Sequence, residues 1–595
     1  MLDNENDDDD DEQLHAVDIK ETLDELTCTH YVWIKNLSAL IQNQVCAKDR
    51  SKKHICNRCL HYFYSDQKLQ EHLVWCRSQN ETKITLPDAD HRWISFKNFK
   101  NKIPIPFIIY ADIESLLIPI TSNDSNENID FKKRQPKGAT HKQIPNSIGC
   151  YLHSLNEPDL SHYKCCSGEK CIDQFIFHLE HLMENIIWPK IHGNKRMQLT
   201  PKELNDFTEA TVCHICNKPF KNEPNNKKVR DHCHMSSAYR GAAHSKCNMK
   251  FQVSKSVPVV FHNLDYDAHF LLEKLANLIE GRISIIPKNC EHYVSFTKDL
   301  DCLDCDDDGE WTNYRDKPRL RFIDSYRFLQ CSLTELAKSL PSDKLNITRK
   351  EWSNLNEKDF SLLTTKGIYP YSYMDSWAKL QETRLPPKES FYDELNDNKI
   401  TKKEYAHEQR VWKTFNIGTL QEYTEIYLKT DVLLLADIFE NFRRNCIKLY
   451  ELDPSHYYTL AGYSWDCMLK YTQVEIELFT DIDQLLFIER GLRGGLCQCS
   501  HRYSKANNKY MENDYNAEIP SNYLMYFDVN NLYGWAMSQS LPISDFSWYG
   551  DDDELHDIDG IERKIMNTHD DADFGFFLEV DLEYPSELHN IHNYY

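Results

Sequence analysis

The sequence predicts an α/β fold, and three observations carry that prediction. Strand-like apolar runs such as IPFIIYADIE alternate with helix-like segments from about residue 103 onward. A strongly amphipathic helix is expected over about 419–450. The chain has 595 residues, 41% of them hydrophobic, which is enough for several domains with sizeable cores.

The elements follow in order. Residues 1–12 carry eight acids and no base and read as a disordered acidic tail. Residues 13–82 hold a small cysteine/histidine module. The main domain is expected over 100–450, with a polar loop at about 121–146 and a second cysteine/histidine module inserted at 205–255. Residues 451–595 form a linker and the start of a further region. No internal repeat is seen. The net charge of −24 argues against a protein coated in positive charge. It leaves nucleic-acid enzymes open, because a partner feels the local channel rather than the sum. No run of eighteen apolar residues suggests a membrane span, and the N-terminus lacks the basic start and apolar core of a signal peptide. The 21 cysteines are therefore read as reduced thiols and metal ligands rather than a disulfide framework.

In the first module, Cys56, Cys59, His72 and Cys76 have the spacing of a small ββα zinc finger, with Phe63 and Leu69 placed as its apolar core. Zinc supplies most of the folding energy of such a unit. DNA contact and a purely structural use both remain open for it. In the second, Cys213, Cys216, His244 and Cys247 make a tetrahedral zinc set around DHCH, and Asn248 follows the last ligand. This module resembles the zinc-stapled ββα-metal nucleases of the HNH group. There the resemblance implies metal binding by Asp231 and Asn248, and water activation by His232 or His234. His244 stands where that family more often has Cys. The alternative is an insertion that grips DNA or only packs.

Three acidic stretches belong together. In FIIYADIESL, residues i and i+2 of a strand share a face, so Asp112 and Glu114 are neighbours at a buried strand end. In VPVVFHNLDYDAHFLLEKL, a strand, a turn and a helix start place Asn263 in the turn and Asp267 at the helix N-terminus. In YTEIYLKTDVLLLADIF, Tyr427 and Asp431 are four apart on one helical face. Buried like charges are costly unless a cation joins them. Four carboxylates from Asp112, Glu114, Asp267 and Asp431 are what two-metal phosphodiester hydrolysis requires, with Tyr427 placed to orient water.

The order and spacing of these stretches resemble the 3′–5′ exonuclease of family B DNA polymerases, with all three of its motifs intact. The nearest likeness is to the protein-primed branch of phages, adenoviruses, linear plasmids and Polinton/Maverick transposons, from about residue 28 to the end. The resemblance implies an RNase H-like exonuclease domain with zinc-finger and treble-clef insertions, using Mg2+ (or Mn2+) beside Zn2+. It implies a grip on single-stranded DNA and the priming protein at Ser332–Leu333, and a phosphate contact by Lys366. GLRGGLC resembles the Gly-Gly motif before the palm, where Gly494 and Gly495 let backbone approach DNA and Arg493 pairs with phosphate. YFDVNNLYGWAM resembles the first palm motif: Asp528 matches its metal-binding aspartate and Tyr533 the residue stacked under the nucleotide sugar. Asn531 and Gly534 depart from the family's Ser and Pro. The fingers lysine motif and the Asp-Thr-Asp motif are not found after residue 537. The expectation is thus the N-terminal part of a polymerase with an incomplete palm. Its chemistry would be Mg2+-dependent 3′–5′ exonuclease, with no DNA synthesis. The expected partners are DNA, as a single-stranded 3′ end or primer–template, and a terminal priming protein, with no membrane. The likeness to eukaryotic transposon polymerases implies nuclear residence as an expectation, and no convincing basic import signal is seen in the sequence. The alternatives are an endonuclease acting through the treble clef and a non-catalytic DNA- or protein-binding relic.

Overall fold

The computed structural model describes residues 52–56, 62–78, 85–88, 90–120, 140–193, 195–221, 226–289, 292–301, 317–393, 397–492, 503–511, 514–549, 558–581, 583 and 585–589. The acidic tail, Cys59 and the stretch Arg493–Gly495 lie outside these. The chain divides into two compact units, Met1–Ile94 with Glu475–Tyr595, and Ser95–Val474.

The second unit is built on a seven-stranded sheet. Its strands are β1 (Phe107–Pro119), β2 (His141–Ser154), β3 (His162–Ser167), β6 (Ser256–Phe261), β7 (Ile283–Pro287), β8 (Tyr293–Asp299) and β9 (Arg319–Asp324). The hairpin β4 (Lys228–His232) and β5 (Tyr239–His244) stands apart from it. The sheet order is β7-β8-β9-β6-β1-β2-β3. β6 pairs in parallel with both β9 and β1, and the remaining pairs are antiparallel. The predicted α/β class is therefore a mixed, mostly antiparallel sheet. Its parallel centre reads as unbroken apolar sequence because both faces are covered.

Helices α1 (Cys171–Leu182) and α2 (Leu264–Leu278) cover one face; α3 (Leu333–Ser339) and the long α4 (Leu420–Tyr450) cover the other. Strand alternation sorts β1 between them. Phe107, Ile109, Ala111 and Ile113 join the core beneath α1 and α2. Ile108 and Tyr110 join the core beneath α4. Asp112, Glu114 and Leu116 continue this second stripe, and Leu116 packs with Tyr423 and Tyr427 of α4. Two strand residues advance about 6.6 Å. One i to i+4 step of a helix advances about 6 Å. The even-numbered stripe of β1 and the face of α4 bearing Tyr423, Tyr427, Asp431 and Phe439 therefore stay in step.

Two expectations are corrected. β1 runs on to Pro119, so Asp112 and Glu114 sit within the strand rather than at its end, beside a bulge between Glu114 and Ser115. The polar stretch expected as loop to 146 is already strand from His141, because β2 pairs along the whole far half of β1.

In the first unit, the short strands His54–Ile55 and Tyr62–Phe63 pair antiparallel before a helix over Asp66–Ser78. Trp93–Ile94 pairs with Ile476–Glu477. The palm-like stretch holds one short helix, Leu532–Met537, entered through Asn531 in the left-handed region.

Candidate active site

Carboxylate oxygens of Asp112, Glu114 and Asp431 all lie within 4.8 Å of one another. β1 supplies the first two from one face, and α4 supplies the third. Glu114 is 3% exposed and Asp431 fully buried. Burial pushes the Asp112 carboxyl up to about 7, opposed by the charge of Lys366 and reinforced by that of Asp431. Glu114 is pushed well above the usual range by burial and then by Asp112. Burial likewise raises Asp431, with Lys366 opposing. Three acids that resist ionisation at one point form a site that wants a cation.

Lys366 supplies a positive charge. Its ammonium is ion-paired to Asp431 Oδ2, while Asp431 Oδ1 is buried without a hydrogen-bond partner. The ammonium also lies 5.2 Å from the ring centre of Tyr427. Tyr427 Oη shares a 3.1 Å hydrogen bond with Tyr371 Oη. Asp267 lies outside the 4.8 Å group, entering from the first turn of α2. Its carboxyl is pushed well above the usual range by burial, then by Asp112 and Asp324.

The turn before α2 depends on Asn263, with φ of 76°, a conformation that Asn adopts more readily than most residues. Asp324 Oδ1 at the end of β9 accepts from Asn263 N at 2.8 Å and Tyr326 N at 3.0 Å. Ser332 closes a capping box with Glu335 at the start of α3, and Leu333 is buried beneath it. Sequence reasoning missed Tyr371, Asp324 and the buried Glu408. Asp324 is signalled by DSY after an apolar strand, an Asx turn. Tyr371 and Glu408 had no such signal.

Two cysteine/histidine sets could hold metal. Side-chain donor atoms of Cys213, Cys216, His244 and Cys247 lie within 4.8 Å of one another. His244 Nδ1 faces Cys216 Sγ at 3.5 Å, and its Nε2 lies 3.3 Å from the Pro219 carbonyl that orients the ring. Burial opposes ionisation of Cys213, but backbone N–H groups of Cys216, His244 and Ile215 prevail and hold its thiol below the ordinary value. Cys56, His72 and Cys76 form the other set, with the Phe63 ring 4.7 Å from that of His72. Its expected fourth ligand, Cys59, lies outside the described residues.

The nuclease-like residues of the inserted module are arranged differently from the acid cluster. Asp231 is 2% exposed and bound by Arg240 through Nη2 at 2.6 Å and Nε at 2.8 Å, and by His214 Nε2 at 2.9 Å. The rings of His232 and His234 lie 4.7 Å apart, and Asn248 sits in the short helix Ser245–Lys250. Asp528 is exposed and Tyr533 is 86% exposed. Among the described residues, Asp528 belongs to no group of three or more metal-ligating side chains.

A probable DNA polymerase of Podospora anserina is 24% identical over 228 residues, 38% of this chain and 15% of that protein. The structure of Phi29 DNA polymerase complexed with primer-template DNA and incoming nucleotide substrates aligns with 66% of this chain and 40% of its own, at 11% identity and a TM-score of 0.28. The chain thus spans well under half the length of either relative. No described helix is long and apolar enough to cross a membrane. Residues 247–579, more than half of the chain, match the sequence profile of the DNA polymerases of type B, organellar and viral. This chain therefore belongs to the family B DNA polymerases of the organellar and viral kind.

Proposed function

We propose that the unit Ser95–Val474 is a divalent-metal-dependent 3′–5′ DNA exonuclease with an RNase H-like sheet. One observation carries the reading: the carboxylates of Asp112, Glu114 and Asp431 within 4.8 Å of one another, raised in proton affinity by burial. The fit to a hard cation is good. The donors are all carboxylate oxygens, and Asp431 Oδ1 is buried without a partner. Asp112, Glu114 and Asp431 would hold Mg2+ or Mn2+, with Asp267 near enough to feel the charge of Asp112. Ions bound there supply Lewis-acid activation of water and neutralise charge on the leaving oxygen.

The protein's own groups do the positioning. Tyr427, fixed by Tyr371, points a hydroxyl toward the cluster and orients the attacking water. Lys366 balances the carboxylate charge and is placed to contact the scissile phosphate. The DNA strand is held as a single-stranded 3′ end. The Cys/His modules are proposed as zinc-stapled folding units. A treble-clef endonuclease is less well supported, because Asp231 is committed to Arg240 and His214. Priming protein, nuclear residence and DNA synthesis belong to the reading of the family's whole proteins. For synthesis, Asp528 stands in no such cluster among the described residues.

The test is cleavage of an oligonucleotide labelled at its 5′ end, with Asp112→Ala and Asp231→Ala side by side. The reading expects activity to fall about 1,000-fold or more in Asp112→Ala and to persist in Asp231→Ala. Loss in Asp231→Ala alone would transfer the chemistry to the inserted module.

A further inference from the structure

Among the described residues, a concentrated basic feature lies away from the carboxylate cluster. An open groove of about 610 Å3 lies within the unit Ser95–Val474. Lys100, Lys250, Lys255, Lys317, Arg319 and Arg321 line it, and no carboxylate side chain is among its lining residues. Six cations line the groove, two of them offset by Asp301 and Asp299, and the excess makes a local field opposite in sign to the chain's net charge of −24.

Its position follows from topology. β6 and β9 run in parallel with Ser256 opposite Arg319, so both strands begin at the groove. Both end at the turn where Asp324 fixes Asn263, next to the carboxylates. Six strand residues span about 17 Å at about 3.3 Å each. The groove is thus a second site at the other end of the same strands, not an arm of the acid cluster.

The cations are held in place. Lys317 pairs with Asp301 at 2.8 Å and Arg319 with Asp299 at 2.9 Å. The Arg321 guanidinium bonds the carbonyls of Ser455 and His456 and lies 5.4 Å from the Tyr458 ring centre. Lys100 and Lys250 are exposed on the rim, on opposite sides in sequence: one precedes β1, and the other ends the helix that carries Cys247. Amides and hydroxyls of Asn98, Gln252, Ser254 and Thr459 add uncharged polar groups between the charges.

We infer that this groove binds the phosphate backbone of a nucleic acid, at a site separate from the carboxylate cluster. Charge complementarity argues for a polyanion. Choosing nucleic acid over an acidic peptide rests on the exonuclease reading. Phosphodiesters present regularly spaced single charges to the cations that line the groove, with no need for base readout.

The experiment measures binding of a labelled 30-base-pair duplex by fluorescence anisotropy against salt concentration. The full chain carries Asp112→Ala to prevent cleavage, and Lys100→Glu/Lys250→Glu is added to it. Both groove positions are exposed, and unchanged zinc content and circular dichroism show that the fold survives. Losing two phosphate contacts lowers the slope of log K against log salt by about 2. Affinity should fall at least tenfold at low salt, and Lys100→Gln/Lys250→Gln should fall between. Unchanged slope and affinity would overturn the inference. So would unchanged duplex binding together with lost binding of a polyglutamate peptide, which would assign the groove to a protein partner. A separate assay follows cleavage of a dinucleotide, too short to occupy both sites, in protein that retains Asp112. If that cleavage is absent while the salt slope still responds, the exonuclease reading fails and the groove stands.

Discussion

Tyr423 has one hydroxyl proton and two acceptors. Its Oη lies 2.6 Å from the Ile368 carbonyl and 2.8 Å from Glu408 Oε2. One proton cannot serve both. A protonated Glu408 resolves this by donating to Tyr423, which then donates to Ile368. Burial pushes the Glu408 carboxyl up to about 7 from an ordinary 4.5, against hydrogen bonds from Tyr423 and Ile368 that favour ionisation. The folded state then binds a proton that the unfolded state has lost, so stability is full below pH 4.5 and falls as pH rises to about 7. The loss is about 3 kcal/mol. Glutamine reproduces the protonated form, with its amide donating to Tyr423. Glu408→Gln should therefore raise Tm at pH 8 and flatten its decline between pH 5 and 8. Thermal melts of both proteins across that range check this, and an unchanged slope would place the titration elsewhere. By the same logic Lys366→Ala leaves the buried Asp431 without its charge balance. It should lower kcat more than substrate affinity for short DNA.

Helix α4 is the element on which everything else is registered. About three quarters of the way along it, Arg443 bonds Glu440 Oε1 at 2.6 Å, Asp453 Oδ1 at 3.0 Å through Nε, and the Ile105 carbonyl at 3.1 Å. Tyr110 of β1 donates to the same Glu440 oxygen at 2.6 Å. This network ties the start of β1 to the helix and so fixes where Asp112 meets Asp431. Arg443→Ala strands two buried acids and should cost about 3–5 kcal/mol, read by chemical denaturation. At the other end, Gly149 on β2 lies opposite Asp112. A Cβ there would meet Tyr163 Oη at 2.5 Å and Leu428 Cγ at 3.0 Å. Gly149→Ala should cost about 1–3 kcal/mol and, by shifting α4 beside Tyr427, lower cleavage as well. The stripe on β1 and the face of α4 were legible because periods of 2.0 and 3.6 survive in any strand and helix. Tyr371 and Glu408 were not. They join the site through the irregular segment from Leu362 to Tyr373 and a helix packed on it, where no period constrains which residue points inward. The length of β1 was underread for a related reason: its far half is paired by polar residues of β2, which carry no apolar signal.

The proposed sites are divided between the two units. All four exonuclease-like carboxylates and the basic groove fall within Ser95–Val474, and Asp528 and Tyr533 fall in the other unit. A fragment of residues 95–474 is therefore expected to retain cleavage, measured against the full chain on the same oligonucleotide. The cysteine/histidine sets serve folding rather than chemistry on this account. Elemental analysis should find two zinc ions per chain, and Cys247→Ser should remove one while leaving cleavage within about threefold. Family membership was legible from spaced motifs alone, because metal chemistry fixes residue type and interval even where little else is shared. The commitment of Asp231 to Arg240 was not, since the sequence does not mark Arg240 as its partner and only the β4–β5 hairpin brings the two together.

The proposed cleavage turns on Asp112, Glu114 and Asp431 forming a divalent-metal site. Anomalous diffraction from crystals of the full chain soaked in Mn2+ tests it most directly. A peak is expected about 2.1 Å from carboxylate oxygens of all three, with Lys366 displaced from Asp431. A second peak about 4 Å away would complete the pair. Absence of density there at saturating Mn2+, or a peak at Asp231 and Asn248 instead, would contradict it.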